Sequence, residues 1–226
     1  MEEKKELDLE IRIATIEDFD ILTDISRICF PEQLKWRATK SHSRKCWDSI
    51  INSNNSELWI CSIYGQVVGF IVFTINRDKY NKNLEKKRYS ILDIFLMFIS
   101  NPEGFFKSIV YKLKQRRLKK ALDTESSTDD PQINIYKRIR KNLDKCVPWC
   151  GPIAVLPSMR GKGISMKMME HCFQRAKSLG YHEIYSTVSK SNMMSRVMMA
   201  IVDFKLIDEV SCTMFYKKKL VINNDK

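Results

Sequence analysis

Long apolar runs are absent from this 226-residue sequence. No stretch reaches the 18 or more apolar residues that indicate a membrane-spanning helix. The N-terminal residues MEEKKELDLEIRIA are charged and lack the apolar segment of a signal peptide. The sequence therefore predicts neither a spanning helix nor secretion, and we expect the protein in the cytoplasm.

The sequence also lacks the two pairs of metal ligands that a structural zinc site requires. The seven cysteines lie at positions 29, 46, 61, 146, 150, 172 and 212. The segment CVPWC has C-x-x-x-C spacing without a second ligand pair, whereas a structural zinc ion needs four ligands. We predict no metal site. In a reducing compartment the cysteines are expected to be small buried apolar residues.

The charge is unevenly distributed. The formal net charge is +12, and residues 77–146 hold 18 Lys and Arg against 9 Asp and Glu, an excess of nine. The remainder is nearly neutral and carries the clear structural periodicities. We predict a single domain over residues 1–226, with a core at 9–77 and 147–220 and a basic amphipathic insertion at 78–146.

Periodicity predicts the element order β-α-α-β-β, insertion, β-α-β-α-β. A strand in LEIRIA precedes a helix capped by Thr15, and a second helix lies within TKSHSRKCWDSIIN. Two apolar strands follow, joined at Tyr64-Gly65-Gln66. The second half contains a short strand in WCGPIAVLP, a helix over 161–179 closed by Gly180, a strand in YHEIYSTVS, a helix from Asn192 and a final strand in EVSCTMFYKKKL.

The segment VLPSMRGKGISMKMMEHC places glycines between a strand and a helix. Unpaired N–H groups converge at a helix N-terminus, where the macrodipole also favours an anion. Gly161 and Gly163 have no Cβ and allow close approach, while Arg160 and Lys162 add charge-assisted contacts. A phosphate site is one interpretation. A tight turn with solvated basic residues is the other.

IAVLPSMRGKGIS resembles the acetyl-CoA-binding motif of the GNAT-type N-acetyltransferases, in which Gln or Arg is followed by two residues, Gly, one residue, and Gly or Ala. Arg160, Gly163 and Ser165 occupy these places, with Ser165 departing from the pattern. SNMMSRVMMAIVDF is similar to a second family segment, matched by Asn192, Ser195, Met198 and Phe204.

The resemblance implies a mixed, mostly antiparallel sheet flanked by helices, an α+β fold with a helical insertion between strands 3 and 4. It implies an acetyltransferase that moves an acetyl group from acetyl-CoA, as co-substrate, to a small-molecule amine acceptor. The implied cofactor-binding residues are Ile153, Ala154 and Val155 for the pantetheine arm, Arg160, Gly161, Lys162, Gly163, Ile164 and Ser165 for the pyrophosphate, and Asn192 near the pantetheine or thioester. Asn192 is equally well interpreted as a helix N-cap.

The sequence departs from the family where a proton donor is expected. The usual acid is a tyrosine that protonates the departing thiolate, and here Met199 stands in its place, with Asp203 in place of the following glycine. VPWCGPIAV also has no carboxylate where a family base is often found. The catalytic residues are therefore unknown. A CoA-binding module that has lost catalysis is the alternative, and a nucleic-acid-associated protein is a third, motivated by charge alone.

Other polar residues near the predicted cleft are interpreted first as packing or surface groups. They are Tyr185, Ser186, Ser189, Cys212 and Tyr216. His171 and His182 are interpreted as structural or exposed. Cys150 has no neighbouring histidine in the sequence, so direct transfer is simpler than a covalent intermediate.

The insertion contains apolar residues at helical spacing in YSILDIFLMFISNPEGFFKSIVYKLKQRRLKKAL, with a break at Asn101-Pro102. Between Phe105 and Leu122 there is no acidic residue. DTESSTDDPQ predicts a flexible loop, and INIYKRIRKNLDK is a second basic segment. Residues 90–120 could lie on the anionic inner face of a membrane, or could pack on the domain or dimerise. The density of phenylalanine among long aliphatics argues against nucleic acid.

Overall fold

The computed structural model describes residues 8–31, 39–77, 79–81, 89–106, 109, 110, 113, 147–210 and 212–221. Seven strands form one sheet in the order β1-β2-β3-β4-β5-β7-β6. The strands are β1 Leu9–Ile13, β2 Ser56–Ile63, β3 Gln66–Thr74, β4 Trp149–Val155, β5 Glu183–Ser189, β6 Lys205–Val210 and β7 Thr213–Lys219. Only β4 and β5 are parallel neighbours, and the other described pairs are antiparallel. The predicted fold class is confirmed.

Five α-helices have both ends within the described residues. They are α1 Phe19–Cys29, α2 Lys40–Ile51, α3 Ile91–Ser100, α4 Ile164–Ser178 and α5 Met193–Ile201. Because side chains alternate along a strand, the sheet has two apolar faces. One face packs with α4 and α5 around residues such as Met168, Phe173 and Met199. The other packs with α1 and α2 around Leu22 and Trp47.

The C-terminal hairpin differs from the prediction. EVSCTMFYKKKL was expected to form one final strand, but the chain turns at Cys212 between β6 and β7. Strand β6 lies at the edge of the sheet, and its residues Lys205, Leu206 and Ile207 are all exposed. With no buried face, β6 lacks the alternating apolar pattern from which a strand is predicted.

Helix α4 begins three residues later than predicted. Gly161 and Gly163 have φ values of 77° and 76°, in the left-handed region that an α-helix excludes. The predicted end at Gly180 is confirmed, because its N–H donates to Lys177 C=O and the next N–H to Ala176 C=O. Arg175 holds α4 to β2 by donating to both carboxylate oxygens of Glu57 at 2.6–3.0 Å.

The cysteines mostly behave as predicted. All six described cysteines are free, and Cys46, Cys61, Cys150 and Cys172 are buried. Cys29 is half-buried. The expectation is wrong for Cys212, which is exposed because it lies in the turn between β6 and β7.

A helical insertion between β3 and β4 is present. Besides α3, positions 102–106, 109, 110 and 113 are helical, with Gly104 N–H donating to Asn101 Oδ1 at the start. The described helices include none long and apolar enough to cross a membrane. The predicted loop DTESSTDDPQ and the segment INIYKRIRKNLDK fall outside the described residues.

Asp93 attaches the insertion to the core. Its buried carboxylate accepts from the backbone N–H and hydroxyl of Ser90, which caps α3, and from those of Thr39, which caps α2. His42 Nδ1 lies 3.8 Å from the same carboxylate. Burial opposes the charged form, but the hydrogen bonds from Thr39 and Ser90 outweigh it and hold the pKa of Asp93 well below its ordinary value.

We predict that Asp93→Asn destabilises the protein at neutral pH by roughly 1.5–3 kcal/mol, the range for hydrogen bonds to a charged group. Because the folded pKa is lowered, the contribution of Asp93 is complete above its ordinary pKa of 3.8 and is lost as pH falls towards the lower folded pKa. The difference between variant and wild type should therefore shrink below about pH 4. Urea unfolding at a series of pH values measures it.

Asp48→Asn is the matched control, since Asp48 is an exposed carboxylate on α2 that bonds to Asn52. It should change stability little. A difference for Asp93→Asn that is independent of pH would contradict the assigned charge.

Candidate functional site: a split in the sheet beside a glycine loop

Strands β4 and β5 diverge almost as soon as they meet. Among the described residues, Trp149 and Tyr185 are their one register pair, reinforced by a bond from Tyr185 N–H to Pro148 C=O of 2.9 Å. Ser186 Oγ donates to Cys150 C=O at 2.9 Å. We call the gap between residues 151–155 of β4 and the facing β5 the split. It opens towards the loop that precedes α4.

The alternation of β4 directs backbone groups into the split. Leu156 N–H donates to Val68 C=O at 2.9 Å, which makes Val155 and Gly69 a non-hydrogen-bonded pair. The backbone groups of Val155 and, by alternation, Ile153 therefore point away from β3. Those of Ala154 point towards β3. Of the three strand residues predicted to bind the cofactor, only Ile153 and Val155 thus offer backbone groups to the split.

The Val155 carbonyl already has partners. It accepts from Arg160 Nε at 3.1 Å and from Cys29 Sγ at 3.4 Å. Burial raises the pKa of the Cys29 thiol, so this group stays protonated as a donor. Arg160 thereby fastens the loop to the end of β4. The backbone of Ile153 and the N–H of Val155 are the groups that an extended ligand could pair with.

The loop that follows β4 presents bare backbone. A Cβ atom added at Gly161 or Gly163 would have no heavy atom of the described chain within 4 Å. Gly163 is the N-cap of α4 and has no side chain that could satisfy the first N–H groups of the helix. Ile164 is buried and anchors this turn, while Lys162 is exposed and Ser165 half-buried. The arrangement can accept an anion on backbone N–H groups.

Asn192 lies after β5 and caps α5. Its Oδ1 accepts from Ser195 N–H at 3.1 Å, and its own N–H donates to Ser189 C=O. The N-cap interpretation is therefore confirmed. Its side chain is exposed at the start of α5.

The five polar candidates separate clearly by environment. Tyr185 is buried with its ring 5.3 Å from Trp149, and Tyr216 donates to Met214 Sδ. Ser189 bonds to Ser191, and Cys212 is exposed. Ser186 is the candidate whose hydroxyl bonds to β4 where the split begins. It is a polar contact at the base of the split rather than an acid.

The remaining titratable candidates have structural environments. The His171 ring stacks edge-on against Trp59 at 4.2 Å, and burial lowers the pKa of this imidazole. His182 is exposed. Cys150 contacts Cys172, and this hydrogen bond together with burial raises the pKa of the Cys172 thiol. The buried Cys172 thiol lacks the environment of a reactive thiolate.

A cation–π contact lies at the closed end of the split, where Trp149 and Tyr185 pair, and the sequence analysis did not predict it. The Arg77 guanidinium lies 3.8 Å from the centre of the Trp149 ring, which also contacts Tyr185 and Phe215. Arg77 follows β3, whereas Trp149 begins β4 after the insertion. The contact joins residues 72 positions apart, and no local pattern reveals such a pair.

Comparison with family models matches residues 136–200 to the acetyltransferase (GNAT) family. Comparison with curated proteins gives no match. The predicted resemblance to this family is confirmed over the matched segment, which contains the glycine loop, β5 and α5 up to Ala200.

Solved structures share the fold at low sequence identity. An N-acetyltransferase from Staphylococcus aureus Mu50 is 16% identical, with a TM-score of 0.53 over 95% of this chain and 99% of that one. A putative acetyltransferase, yncA, from Salmonella typhimurium with its cofactor acetyl-CoA is 12% identical, with a TM-score of 0.52 over 96% of each chain. The paia N-acetyltransferase from Thermoplasma acidophilum in complex with coenzyme A is 12% identical, with a TM-score of 0.56 over 94% and 99%.

Met199 occupies the place of the family tyrosine but is 2% exposed and belongs to the core between α4, α5 and the sheet. We predict that Met199→Tyr overpacks this core and destabilises the protein by about 1–3 kcal/mol. Met199→Leu, which nearly conserves volume, should cost less than about 1.5 kcal/mol. Urea unfolding of both variants tests this. Wild-type stability in Met199→Tyr would mean that the site has room for a phenol.

Proposed function

We propose that this protein transfers an acetyl group from acetyl-CoA to an amine acceptor. The observation that carries the proposal is the split itself: an open edge of β4 leads directly into a glycine loop with left-handed backbone. A ligand that is an extended arm with a phosphate group at one end matches this arrangement, with the arm along β4 and the phosphate at the glycine loop. The family match and the shared fold support the same reaction class.

The pantetheine arm would lie along β4 as an added strand. Ile153 offers its C=O to the arm and Val155 its N–H, whereas Ala154 remains paired with β3 and Val155 C=O with Arg160 and Cys29. The pyrophosphate would lie against the loop, on the N–H groups of residues from Gly161 to Ser165. Arg160 ties this loop to the end of β4 and Ile164 holds the turn in the core, while the exposed Lys162, which donates to Met159 Sδ, would add a cation.

The chemistry is direct attack on the thioester carbonyl by an unprotonated amine. The tetrahedral intermediate carries an oxyanion, for which the Ile153 N–H, directed into the split, is a suitable donor. Correct placement of the two reactants can contribute about 7–11 kcal/mol to lowering the barrier. A protein that aligns amine and thioester therefore needs little acid–base assistance. As the C–S bond breaks, the attacking nitrogen would lose its extra proton to water at the open end of the split, and water would return a proton to the departing thiolate.

Gly163 provides the sharpest test of the cofactor site. We predict that Gly163→Val weakens acetyl-CoA binding at least tenfold, about 1.4 kcal/mol, because the branched side chain enters the space left for the anion. Isothermal titration calorimetry measures the affinity.

Gly65→Val is the matched control for this variant. Gly65 has almost the same backbone conformation, with φ of 75° against 76°, so a valine would be strained similarly at both positions, but Gly65 lies in the turn between β2 and β3. It should bind acetyl-CoA like the wild type. Unchanged affinity in a folded Gly163→Val protein, or equal losses in both variants, would remove the loop from the cofactor site.

A CoA-binding module without catalysis is the second candidate, favoured by the buried Met199. The two differ in one assay, in which a panel of amines is mixed with acetyl-CoA and release of free thiol is followed. We predict thiol release that depends on the amine, with acetylated product detected by mass spectrometry. Acetyl-CoA binding without acetylation of any amine would support the binding module. Salt-dependent binding to DNA or RNA would indicate the third candidate.

The acceptor and the location of the protein belong to the same proposal. We infer that the acceptor is a small-molecule amine. We also infer that the enzyme works in the cytoplasm. The insertion would then serve as a contact surface, for an anionic membrane or for a second copy of the chain. The exposed apolar side chains and the charge of the insertion bear on the choice between these two partners.

A further inference from the structure

The insertion exposes an unusual amount of apolar side chain. Eleven large apolar residues between positions 91 and 113 are exposed, including Ile91 at 88%, Val110 at 65% and Phe106 at 58%. The other members are Leu92, Ile94, Phe95, Leu96, Phe98, Ile99, Ile109 and Leu113. We call this set the insertion surface. Exposed apolar patches of this kind commonly mark a binding surface.

The insertion surface is held in place from its opposite side. Asp93 and Met97, one helical turn apart on α3, are the two buried residues of that helix. Asp93 bonds to Thr39, and Met97 packs with Tyr89 and Phe105. Tyr89 stacks on His42 at 4.2 Å. Because the inward side of α3 is fixed by these contacts, its apolar outer side faces away from the core.

Aromatic rings join α3 to the helical residues that follow. Phe98 lies 5.6 Å from Phe105 and 5.9 Å from Phe106, with both pairs edge-to-face. The exposed residues on the two sides of Asn101 therefore belong to one continuous surface rather than to two separate patches.

Charge identifies the partner. The sequence from 107 to 120 carries seven Lys and Arg and no acidic residue. A second copy of this chain carries the same positively charged sequence, so charge disfavours an interface that pairs the surface with itself. A nucleic acid would neutralise the cations but leave the aliphatic and phenylalanine side chains in water. An anionic lipid surface satisfies both components.

We propose that the insertion surface docks the protein on an anionic membrane, with its exposed apolar side chains entering the interface and the positive charge of the 107–120 sequence supplying attraction to anionic lipid. This deepens the proposed function by naming the partner of the insertion. It does not require acetyl transfer, since docking is measured without acetyl-CoA.

Vesicle co-sedimentation with the full chain tests the proposal. We expect the protein to pellet with vesicles of phosphatidylcholine and phosphatidylglycerol at low salt and to be released as salt is raised. It should pellet much less with phosphatidylcholine alone. A protein that stays in the supernatant at low salt, or that binds both vesicles equally, overturns the proposal.

Ile91→Glu combined with Phe106→Glu should weaken vesicle binding at least tenfold, because both residues are exposed on the insertion surface. Ile16→Glu combined with Ile28→Glu is the matched control, since these residues are 63% and 53% exposed near α1 and the charge change is the same. It should bind vesicles nearly as well as the wild type. Equal losses in the two double variants would show that net charge alone is responsible and would overturn the assigned surface.

Folding and oligomeric state complete the experiment. Thermal unfolding checks that the variants fold, and Val110→Glu with Leu113→Glu replaces the first pair if that pair does not. Analytical ultracentrifugation should show a monomer in the absence of lipid. A dimer that Ile91→Glu with Phe106→Glu dissociates would assign the surface to a second copy instead. Acetyl-CoA affinity, measured on the same variants, reports the proposed function separately.

Discussion

The separation of β4 from β5 is the constraint on which the rest of the structure depends. Parallel neighbours normally continue their ladder, but here the described pairing ends after Trp149 and Tyr185. A strand edge inside a domain requires partners for its backbone groups. The fold supplies two of them at Val155, from Arg160 and Cys29, and directs the backbone of Ile153 into the gap. The gap therefore leaves backbone groups of β4 available to a ligand, and α4 begins after the loop that follows β4.

In the proposed function, the cofactor is recognised in the split by the backbone, which requires a strand, a turn and glycines at two left-handed positions but few particular side chains around them. Solved structures only 12–16% identical to this chain share its fold. The closed end of the split, where Arg77 covers Trp149, depends on particular side chains rather than on backbone conformation. Its residues come from distant parts of the chain.

The same distinction decides what could be predicted from the sequence. The hairpin at Tyr64-Gly65, the end of α4 at Gly180 and the glycine loop were readable because each depends on local backbone conformation. Strand β6 was not, since an exposed edge strand has no buried face to produce alternation. The burial of Met199 and the contact of Arg77 with Trp149 were also unreadable, because both depend on which elements pack together after folding.

The insertion is held by polar contacts, whereas the core is held by the packing of apolar side chains. Its attachment through Asp93 is polar: one buried carboxylate receives hydrogen bonds from the caps of two helices. Such an anchor fixes orientation, yet it buries little of the apolar surface of α3. In a helix kept only for stability, the phenylalanine and isoleucine side chains would face the core, because their burial is the main source of folding free energy. Here Asp93 and Met97 face inwards and Ile91 outwards, so the outward apolar side chains of α3 contribute little to folding, as the proposed membrane contact requires.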